Sequence, residues 1–182
     1  MGQGTSFEYD RLSTIRWSGP DGQFFVMREV TCTDVADLKQ LARDLSPAAR
    51  YFRFARFNIA DLGDEQIKAI CDGDPGRAAH WIVHAQDGVG LTPVANARYV
   101  ATRSDLKQAE ILMFITDRWQ KCGIGRQLLA RLSQCARAHD FESLCAQVLP
   151  TNQPMQTFLV SQGFDPVVRE AGRPIVYVKK LI

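Results

Sequence analysis

The sequence has few of the features that suit a chain to a membrane or to nucleic acid. Its longest apolar runs, such as Ile111–Ile115, fall far short of the roughly 18 residues that a membrane-spanning helix needs. Residues 1–10 contain no apolar stretch of the signal-peptide kind. No block of like charges occurs and the formal net charge is only +2, whereas nucleic-acid-binding domains usually carry a basic stripe. We therefore expect a soluble cytoplasmic protein that binds neither a membrane nor nucleic acid.

Disulfide and metal motifs are missing as well. The 5 cysteines are widely spaced and form no CxxC pair, so neither a disulfide framework nor a zinc ribbon is indicated. His80 and His84 have the spacing of an HExxH site, but no Glu follows His80 and the surrounding sequence is typical of a strand. We therefore predict reduced thiols and no metal.

What is present fits one ordinary domain. The 182 residues correspond to about one domain of ~150 residues, and 46% apolar with 23% charged residues is a usual globular composition. The polar stretch 1–22 ends in a turn cluster, Ser18–Gly22, and is expected to be an N-terminal leader segment. Residues 23–182 are expected to form the single domain.

Hydrophobic periodicity predicts alternating strands and helices. Strands are expected at Phe24–Val30, His80–Gln86, Val94–Thr102, Ala109–Thr116, Leu144–Leu149, and in a closing hairpin at Val167–Val168 and Ile175–Val178. Helices are expected from Val35 to Leu45, after Ser46-Pro47, and at Asp64–Cys71, Gly123–His139 and Asn152–Gln162. This order predicts an α/β fold with a mixed central sheet of about six to seven strands flanked by helices. Because one long helix connects them, the strands Ala109–Thr116 and Leu144–Leu149 are expected to be parallel neighbours.

The segment Gln120–Arg126 joins a buried strand to a helix through a turn with two glycines, Gly123 and Gly125. Glycines let backbone N–H groups approach a ligand closely, and the first N–H groups of a helix attract anions because they have no partner inside the helix. The turn therefore predicts a pyrophosphate site. No GK(S/T) follows, which excludes a Walker A loop, and Leu128 stands where a Rossmann motif needs its third glycine. A tight turn without a ligand is the alternative.

The same turn carries a family resemblance. Gln120-Lys121-Cys122-Gly123-Ile124-Gly125 matches the (Q/R)-x-x-G-x-(G/A) acetyl-CoA signature of the general-control-related N-acetyltransferases (GNAT), and the element order over about Phe24–Ile182 resembles that superfamily. Within it the chain looks most like the bacterial protein-lysine acetyltransferases called Pat. Three segments support this closer resemblance: Leu45–Phe54, Val94–Tyr99 and the pair Ala109-Glu110.

The resemblance implies that acetyl-CoA is the acyl-donor cosubstrate. Backbone groups of Met113, Phe114 and Ile115 would then pair with its pantetheine arm, and Asn152 would contact the cofactor. In this family a β-bulge splays the strand before the loop from the strand that follows. The loop expected to hold the pyrophosphate, through its amides from Lys121 to Arg126, consists of Gln120, Lys121, Cys122, Gly123, Ile124, Gly125 and Arg126.

Acetyl transfer to an amine requires the amine to be neutral. A free lysine has a pKa near ~10.4, so a base must accept its proton. Glu110 is the one carboxylate between Ala109 and Ile115, and it matches the Glu of the Pat family in the same Ala-Glu-Ile context. We predict that Glu110 is the general base. A solvent-exposed Glu at the end of a strand is the alternative.

Many relatives protonate the leaving thiolate with a tyrosine four residues before the glycine that ends the next-to-last helix, here Gly163. That position is Leu159, and its neighbour Phe158 has no hydroxyl. Departure of the thiolate would then depend on solvent or on the dipole of the loop. Cys122 at a helix start is a candidate nucleophile, although direct transfer needs no covalent step.

The predicted function is acetyl-CoA-dependent N-acetylation of a primary amine, with a protein lysine as the favoured acceptor. A small-molecule amine, such as a polyamine or an antibiotic amine, is the alternative acceptor. A non-catalytic acyl-CoA-binding regulatory domain is the alternative from another class. Arg50, Arg53 and Arg56 lie on one predicted helical face, which is either solvated or guides an acidic protein or the cofactor's 3′-phosphate. A monomer or a homodimer is expected.

Overall fold

The structure is a computed structural model that describes residues 14–49, 63–71, 74, 76–87, 90–103, 105–168 and 172–181. Its strands are β1 (Ile15–Ser18), β2 (Phe24–Glu29), β3 (Ala78–Asp87), β4 (Gly90–Ala101), β5 (Gln108–Ile115), β6 (Ser143–Val148), β7 (Asp165–Val168) and β8 (Ile175–Lys180). Its helices are α1 (Val35–Asp44), α2 (Asp64–Cys71), α3 (Ile124–Ala138) and α4 (Gln153–Ser161), with a 3₁₀ turn at Asp117–Trp119. The helix predicted after Ser46-Pro47 begins with helical residues 47–49. Its continuation, with Arg50, Arg53 and Arg56, lies outside the described residues.

The strands form one mixed sheet in the order β1-β2-β3-β4-β5-β6-β8-β7. All neighbours pair antiparallel except β5 and β6, which are parallel. The predicted α/β fold with a mixed sheet and flanking helices is therefore confirmed. The sheet has eight strands, more than the six to seven expected, because Ile15–Ser18 also joins it.

Strand β1 lies within the stretch that the sequence indicated as a leader segment. Ile15 and Trp17 are half-buried while Arg16 and Ser18 are exposed, which is the alternation of a strand with one buried face. Trp17 stacks on Phe25 of β2 with ring centroids 5.3 Å apart. Four residues are too few for this alternation to stand out in a sequence.

The sheet has a helix layer on each face. On one face α3 contributes Leu128, Leu132 and other buried side chains to the large core, which also contains Ala109 and Ile111 of β5. On the other face α1 and α2 contribute Leu38, Leu41 and Ile67 to a smaller core, against which Phe114 of β5 packs. Successive residues of β5 thus point to opposite faces. No helix among the described residues is long and apolar enough to cross a membrane.

The start of α1 is held to the sheet by an ion pair. Asp34 is buried, and its carboxylate accepts hydrogen bonds of 2.7 Å from both terminal nitrogens of Arg28 on β2. The backbone amide of Thr31 donates a further bond of 2.7 Å. Burial alone would raise the pKa of Asp34, but these bonds outweigh it and the pKa is lowered.

The parallel pair β5–β6 confirms the predicted adjacency of Ala109–Thr116 and Leu144–Leu149. Its pairing covers only the beginnings of the two strands: Gln108 with Ser143, Ala109 with Leu144, and Glu110 with Cys145. Beyond Glu110, β5 continues to Ile115 in register with β4 alone, and β6 continues to Val148 in register with β8 alone. The two strands therefore enclose a gap that opens toward their carboxyl ends, where open α/β sheets bind ligands.

Candidate active site

The β5 side of this gap is a backbone edge without a strand partner. The amide of Thr116 donates to the carbonyl of Val94 over 2.9 Å, so the backbone of Thr116 is directed toward β4. Backbone groups alternate between the two sides of an antiparallel strand, and the β4–β5 register is continuous. Met113 and Ile115 therefore direct their backbone groups into the gap. They are two of the three residues expected to meet a pantetheine arm.

Phe114, the third of these residues, is placed differently. Its backbone is directed toward β4, where it pairs with Asn96, and its side chain packs against the α1–α2 core. The expectation for Phe114 is corrected for a simple reason: every second residue of β5 is used by the β4 ladder. Its role here is to anchor β5 between the gap and the helices.

The loop after β5 is fixed by the side chain of Gln120. Its Nε2 donates to the carbonyl of Ile115 and to Oδ1 of Asp117, each over 3.2 Å. Trp119 is buried and packs edge-on against Phe25, which attaches the 3₁₀ turn to the sheet. Gln120, predicted as part of the cofactor site, thus shapes the loop through bonds within the chain.

The next five residues, 121–125, offer a row of backbone donors. Their amides donate no hydrogen bond within the part of the chain that the structure describes. Lys121 and Gly123 adopt positive φ angles of 64° and 82°, which turn the chain into the start of α3. Five consecutive donors at a helix N-terminus are suited to a pyrophosphate.

Arg126 departs from the expectation for the loop. Its amide donates to the carbonyl of Gly123 over 3.1 Å, because it already belongs to the first turn of α3. Its exposed side chain remains available to a phosphate group. The row of unpaired amides therefore ends at Gly125.

The two glycines of the loop serve different purposes. A Cβ atom on Gly123 would meet nothing within 4 Å, so the residue is required for its positive φ. A Cβ atom on Gly125 would lie 3.3 Å from the Phe158 ring and 3.4 Å from Ile115. Gly125 therefore lies where α3 packs closely against α4 and the end of β5, which aims the helix N-terminus at the gap.

The side chains of Cys122 and Ile124 are turned toward the protein. The Cys122 thiol donates to the carbonyl of Gln120 with a sulfur–oxygen distance of 3.6 Å, and Ile124 is buried in the large core. What these two residues present outward is their backbone. The thiol thus closes the loop turn, a role that requires no covalent step.

Asn152 lies beyond the end of β6 and occupies the N-cap of α4. Its Oδ1 accepts a hydrogen bond of 3.2 Å from the amide of Met155, as N-cap residues commonly do. The side-chain Nδ2 makes no hydrogen bond within the described residues. Asn152 can therefore cap its helix and still donate to a ligand.

Glu110, the predicted base, is the last β5 residue paired with β6. It points to the same face of the sheet as Phe114, the face covered by α1 and α2, because the two are four residues apart on one strand. The side chain is half-buried. Its carboxylate thus lies where the gap closes.

Two further polar residues, which the sequence did not single out, accompany Glu110. Cys145 is its partner on β6 and is buried; burial first, and then the charges of Glu110 and Asp105, raise the pKa of the Cys145 thiol to about 12. Cys145 is therefore a neutral thiol at pH 7. Arg98 on β4 is half-buried, and burial lowers its pKa while the charge of Glu110 opposes that effect. Polar Asn96 and Arg98 alternate with apolar residues in β4, which is the signal that could have revealed them.

The position of the usual tyrosine acid is apolar in this chain. Leu159 is fully buried in the large core, and Phe158 packs over Gly125. Neither residue can donate a proton.

The two histidines of β3 have polar partners. His80 Nε2 lies 3.1 Å from Oδ1 and 2.7 Å from Nδ2 of Asn96, and His84 Nε2 lies 2.8 Å from Oδ2 of Asp37 on α1. Among the described residues there is no group of three or more His, Cys, Asp and Glu that could hold a metal ion. These histidines instead connect β3 to β4 and to α1.

Comparison with known families agrees with this architecture. The sequence model described as an acetyltransferase (GNAT) domain matches residues 25–165. The chain belongs to the GNAT acetyltransferase family. An acetyltransferase of Pseudomonas aeruginosa is 25% identical over 144 residues, covering 79% of this chain and 76% of that protein. This GNAT protein is thus an acyltransferase of the N-acetyltransferase type.

Solved structures show the same GNAT fold. The GNAT domain of S. lividans Pat is 19% identical with a TM-score of 0.79, covering 92% of this chain and 97% of that domain. The PaiA N-acetyltransferase of Thermoplasma acidophilum, solved in complex with coenzyme A, is 14% identical with a TM-score of 0.67, covering 86% and 98% of the two chains. The family binds acetyl-CoA, and the gap and amide row of this GNAT protein fit that cosubstrate.

Proposed function

We propose that this GNAT protein transfers the acetyl group of acetyl-CoA to the side-chain amine of a protein lysine. The observation that carries the proposal is the position of Glu110. Its half-buried carboxylate lies at the closed end of the β5–β6 gap, on the face that bears α1 and α2. A base at this position can reach an amine that enters from that face, directly or through one water.

The residues that would hold acetyl-CoA are those with a donor or acceptor left free. Because the Ile115 carbonyl accepts a bond from Gln120, Ile115 would offer its amide. Met113 and Ile115 would bind the pantetheine arm, the amides of residues 121–125 would bind the pyrophosphate, and Asn152 would donate its Nδ2. Bound acetyl-CoA supplies the activated acetyl thioester. Because Leu159 has no hydroxyl, the chain offers no side-chain acid at that position, and water near the helix N-terminus is the source of the final proton.

Glu110 and its surroundings support a single amine as acceptor. A polyamine carries several positive charges, so a site for it would need several free carboxylates. On the α1–α2 face, Asp34 is bound by Arg28 and Asp37 by His84, and Arg98 adds a positive charge beside Glu110. The described charges thus favour one lysine amine over a polycation. The resemblance of Leu45–Phe54 and Val94–Tyr99 to the Pat family points the same way.

The proposal is tested by incubating the protein with acetyl-CoA and a panel of purified candidate proteins, and reading intact masses. We expect gains of one acetyl group on some candidates, at lysines located by peptide mapping. Glu110→Gln should lower the rate by about 10²–10⁴-fold while acetyl-CoA affinity stays the same. Acetylation of polyamines or antibiotic amines alone would overturn the lysine assignment, and binding of acetyl-CoA without any turnover would favour the regulatory domain.

A further inference from the structure

Arg98 is a cation without a partner in the part of the chain that the structure describes. It projects from β4 on the α1–α2 face, because residues of even number on β4 and β5 share that face. Its Nε is buried and makes no hydrogen bond among the described residues. A buried donor without a partner costs free energy. A guanidinium recovers that cost best from a carboxylate, which it can bind through two parallel hydrogen bonds.

Glu110 is a second unmatched charge on the same face. Neither Glu110 nor Arg98 takes part in an ion pair or a side-chain hydrogen bond among the described residues. Other charges on this side of the sheet are matched within the chain, in the ion pairs Arg28–Asp34, Lys39–Asp64, Lys68–Glu65 and His84–Asp37. The chain therefore leaves one cation and one carboxylate on this face unused.

The β4–β5 ladder fixes the spacing of these two charges. Arg98 pairs with Leu112, and Val100 pairs with Glu110, so Arg98 and Glu110 are diagonal neighbours. Diagonal neighbours on adjacent antiparallel strands are about 7–8 Å apart. A ligand that satisfies both groups must offer a cation to Glu110 and an anion to Arg98 at a similar spacing. The amine of an acceptor lysine supplies the cation, and the anion must come from elsewhere in the acceptor.

An extended peptide has this spacing between alternate residues. Side chains two positions apart project to the same side, and at roughly 3.3 Å per residue they are roughly 6.6 Å apart. Side chains of adjacent residues project to opposite sides. A carboxylate two residues from the lysine therefore matches the spacing of Arg98 and Glu110, whereas a carboxylate next to the lysine points away.

We propose that Arg98 is a specificity-determining residue that binds the carboxylate of an aspartate or glutamate two residues from the acceptor lysine. This inference rests on the proposed function, because it names the class of lysine on which that function acts. It assigns to Arg98 no part in the proton transfer and no contact with acetyl-CoA. It explains why a guanidinium is held, partly buried and unbonded, beside the residue that is proposed to receive the amine.

The test compares three sets of synthetic peptides that each contain one lysine. The first set has Glu two residues before or after the lysine, the second has Gln at that position, and the third has Glu directly next to the lysine. With the wild type we expect kcat/KM for the better peptide of the first set to exceed that of the other sets by about tenfold or more, the scale of a hydrogen bond to a charged group. The difference should lie mainly in KM for the peptide. Equal values for all three sets overturn the inference.

Variants of the protein locate this preference. Arg98→Met should lower kcat/KM for the first set to the value for the Gln peptides, and Arg98→Lys, which keeps the charge, should retain part of the preference. Arg103→Met, which removes an exposed arginine beyond β4, is the matched control and should leave the preference intact. A preference retained in Arg98→Met overturns the inference. If Arg98→Met does not fold, the comparison of Arg98→Lys with Arg98→Gln decides in the same way.

Failure of the proposed function would give a different result. Free lysine and lysinamide offer the same side-chain amine with and without a carboxylate, and are assayed beside the peptides. Preference for free lysine that is lost in Arg98→Met, with no peptide modified, would overturn the protein acceptor and uphold Arg98 as the residue that binds a carboxylate. Glu110→Gln should slow all peptides by one common factor and leave their ratios unchanged. Full activity of Glu110→Gln would overturn the proposed base, while the peptide ratios would still decide the role of Arg98.

Discussion

The backbone amide of Ser46 donates a hydrogen bond of 3.1 Å to Oδ2 of Asp117, although the two residues are 71 positions apart. The other carboxylate oxygen of Asp117 accepts a bond from Gln120, which also holds the carbonyl of Ile115. One carboxylate therefore connects the segment after α1 with the loop that carries the unpaired amides.

Replacing Asp117 by Ala should weaken acetyl-CoA binding without removing any predicted cofactor contact. The variant loses both bonds, each worth about 0.5–1.5 kcal/mol, and the loop loses part of its order. We expect the dissociation constant to rise by about three- to tenfold in calorimetry. Asp165→Ala, an exposed change on β7, is the control. Equal affinity in Asp117→Ala and the wild type would show that the loop holds its shape without this carboxylate.

Gly123→Ala should cost both stability and affinity. A positive φ is unfavourable for alanine by about 1–2 kcal/mol, and relief of that strain would turn the loop amides away from the ligand. Gly22 offers a matched control, since it also has a positive φ and open space around it, in the β1–β2 turn. Gly22→Ala should lower the free energy of unfolding similarly in urea titrations and leave acetyl-CoA affinity unchanged. Equal affinities in both variants would contradict the role assigned to the loop.

Gly125→Ala should act through packing. The added Cβ would lie 3.3 Å from the Phe158 ring, so the ring must shift slightly, and we expect a cost of at most about 1 kcal/mol, the low end for overpacking. The cost should be smaller when the same change is made in a Phe158→Leu background. Unfolding free energies of the two single variants and the double variant give the coupling between the residues, and a coupling near zero would refute the contact.

How much of this site can be predicted from the sequence depends on how far apart in the chain the interacting residues are. The parallel strands and the glycine turn were predictable because apolar runs and glycines are local signals. The Ser46–Asp117 bond joins residues that are distant in the chain, so no local pattern indicates it. The backbone direction of Phe114 depends on the register of β5 with β4. The closeness of Arg98 to Glu110 depends on the same register, which places them diagonally on neighbouring strands. These features arise from tertiary contacts and strand register, which a local sequence pattern does not reveal.

Asp34→Asn should reduce the dependence of stability on acid. The pKa of Asp34 is lower in the folded protein than in the unfolded chain, so its contribution is complete above the unfolded value, near ~4, and is lost as pH falls through the folded value. At pH 7 the variant should lose about 2 kcal/mol of unfolding free energy, the scale of bonds to a charged partner. Between pH 5 and 2 its stability should fall less than that of the wild type. Asp165→Asn serves as the control in the same urea titrations.

The short pairing of β5 with β6 also limits how firmly the two parts of the sheet are joined. The described sheet consists of two ladders, β1 to β5 and β6 with β8 and β7, joined by three residue pairs and by the side chains of the large core. A ligand bound in the gap would contact both parts of the sheet and would add cross-strand bonding that the chain itself lacks there. Bound acetyl-CoA would then also help to hold the two parts of the sheet together. The rigidity of the enzyme would rise and fall once in every turnover.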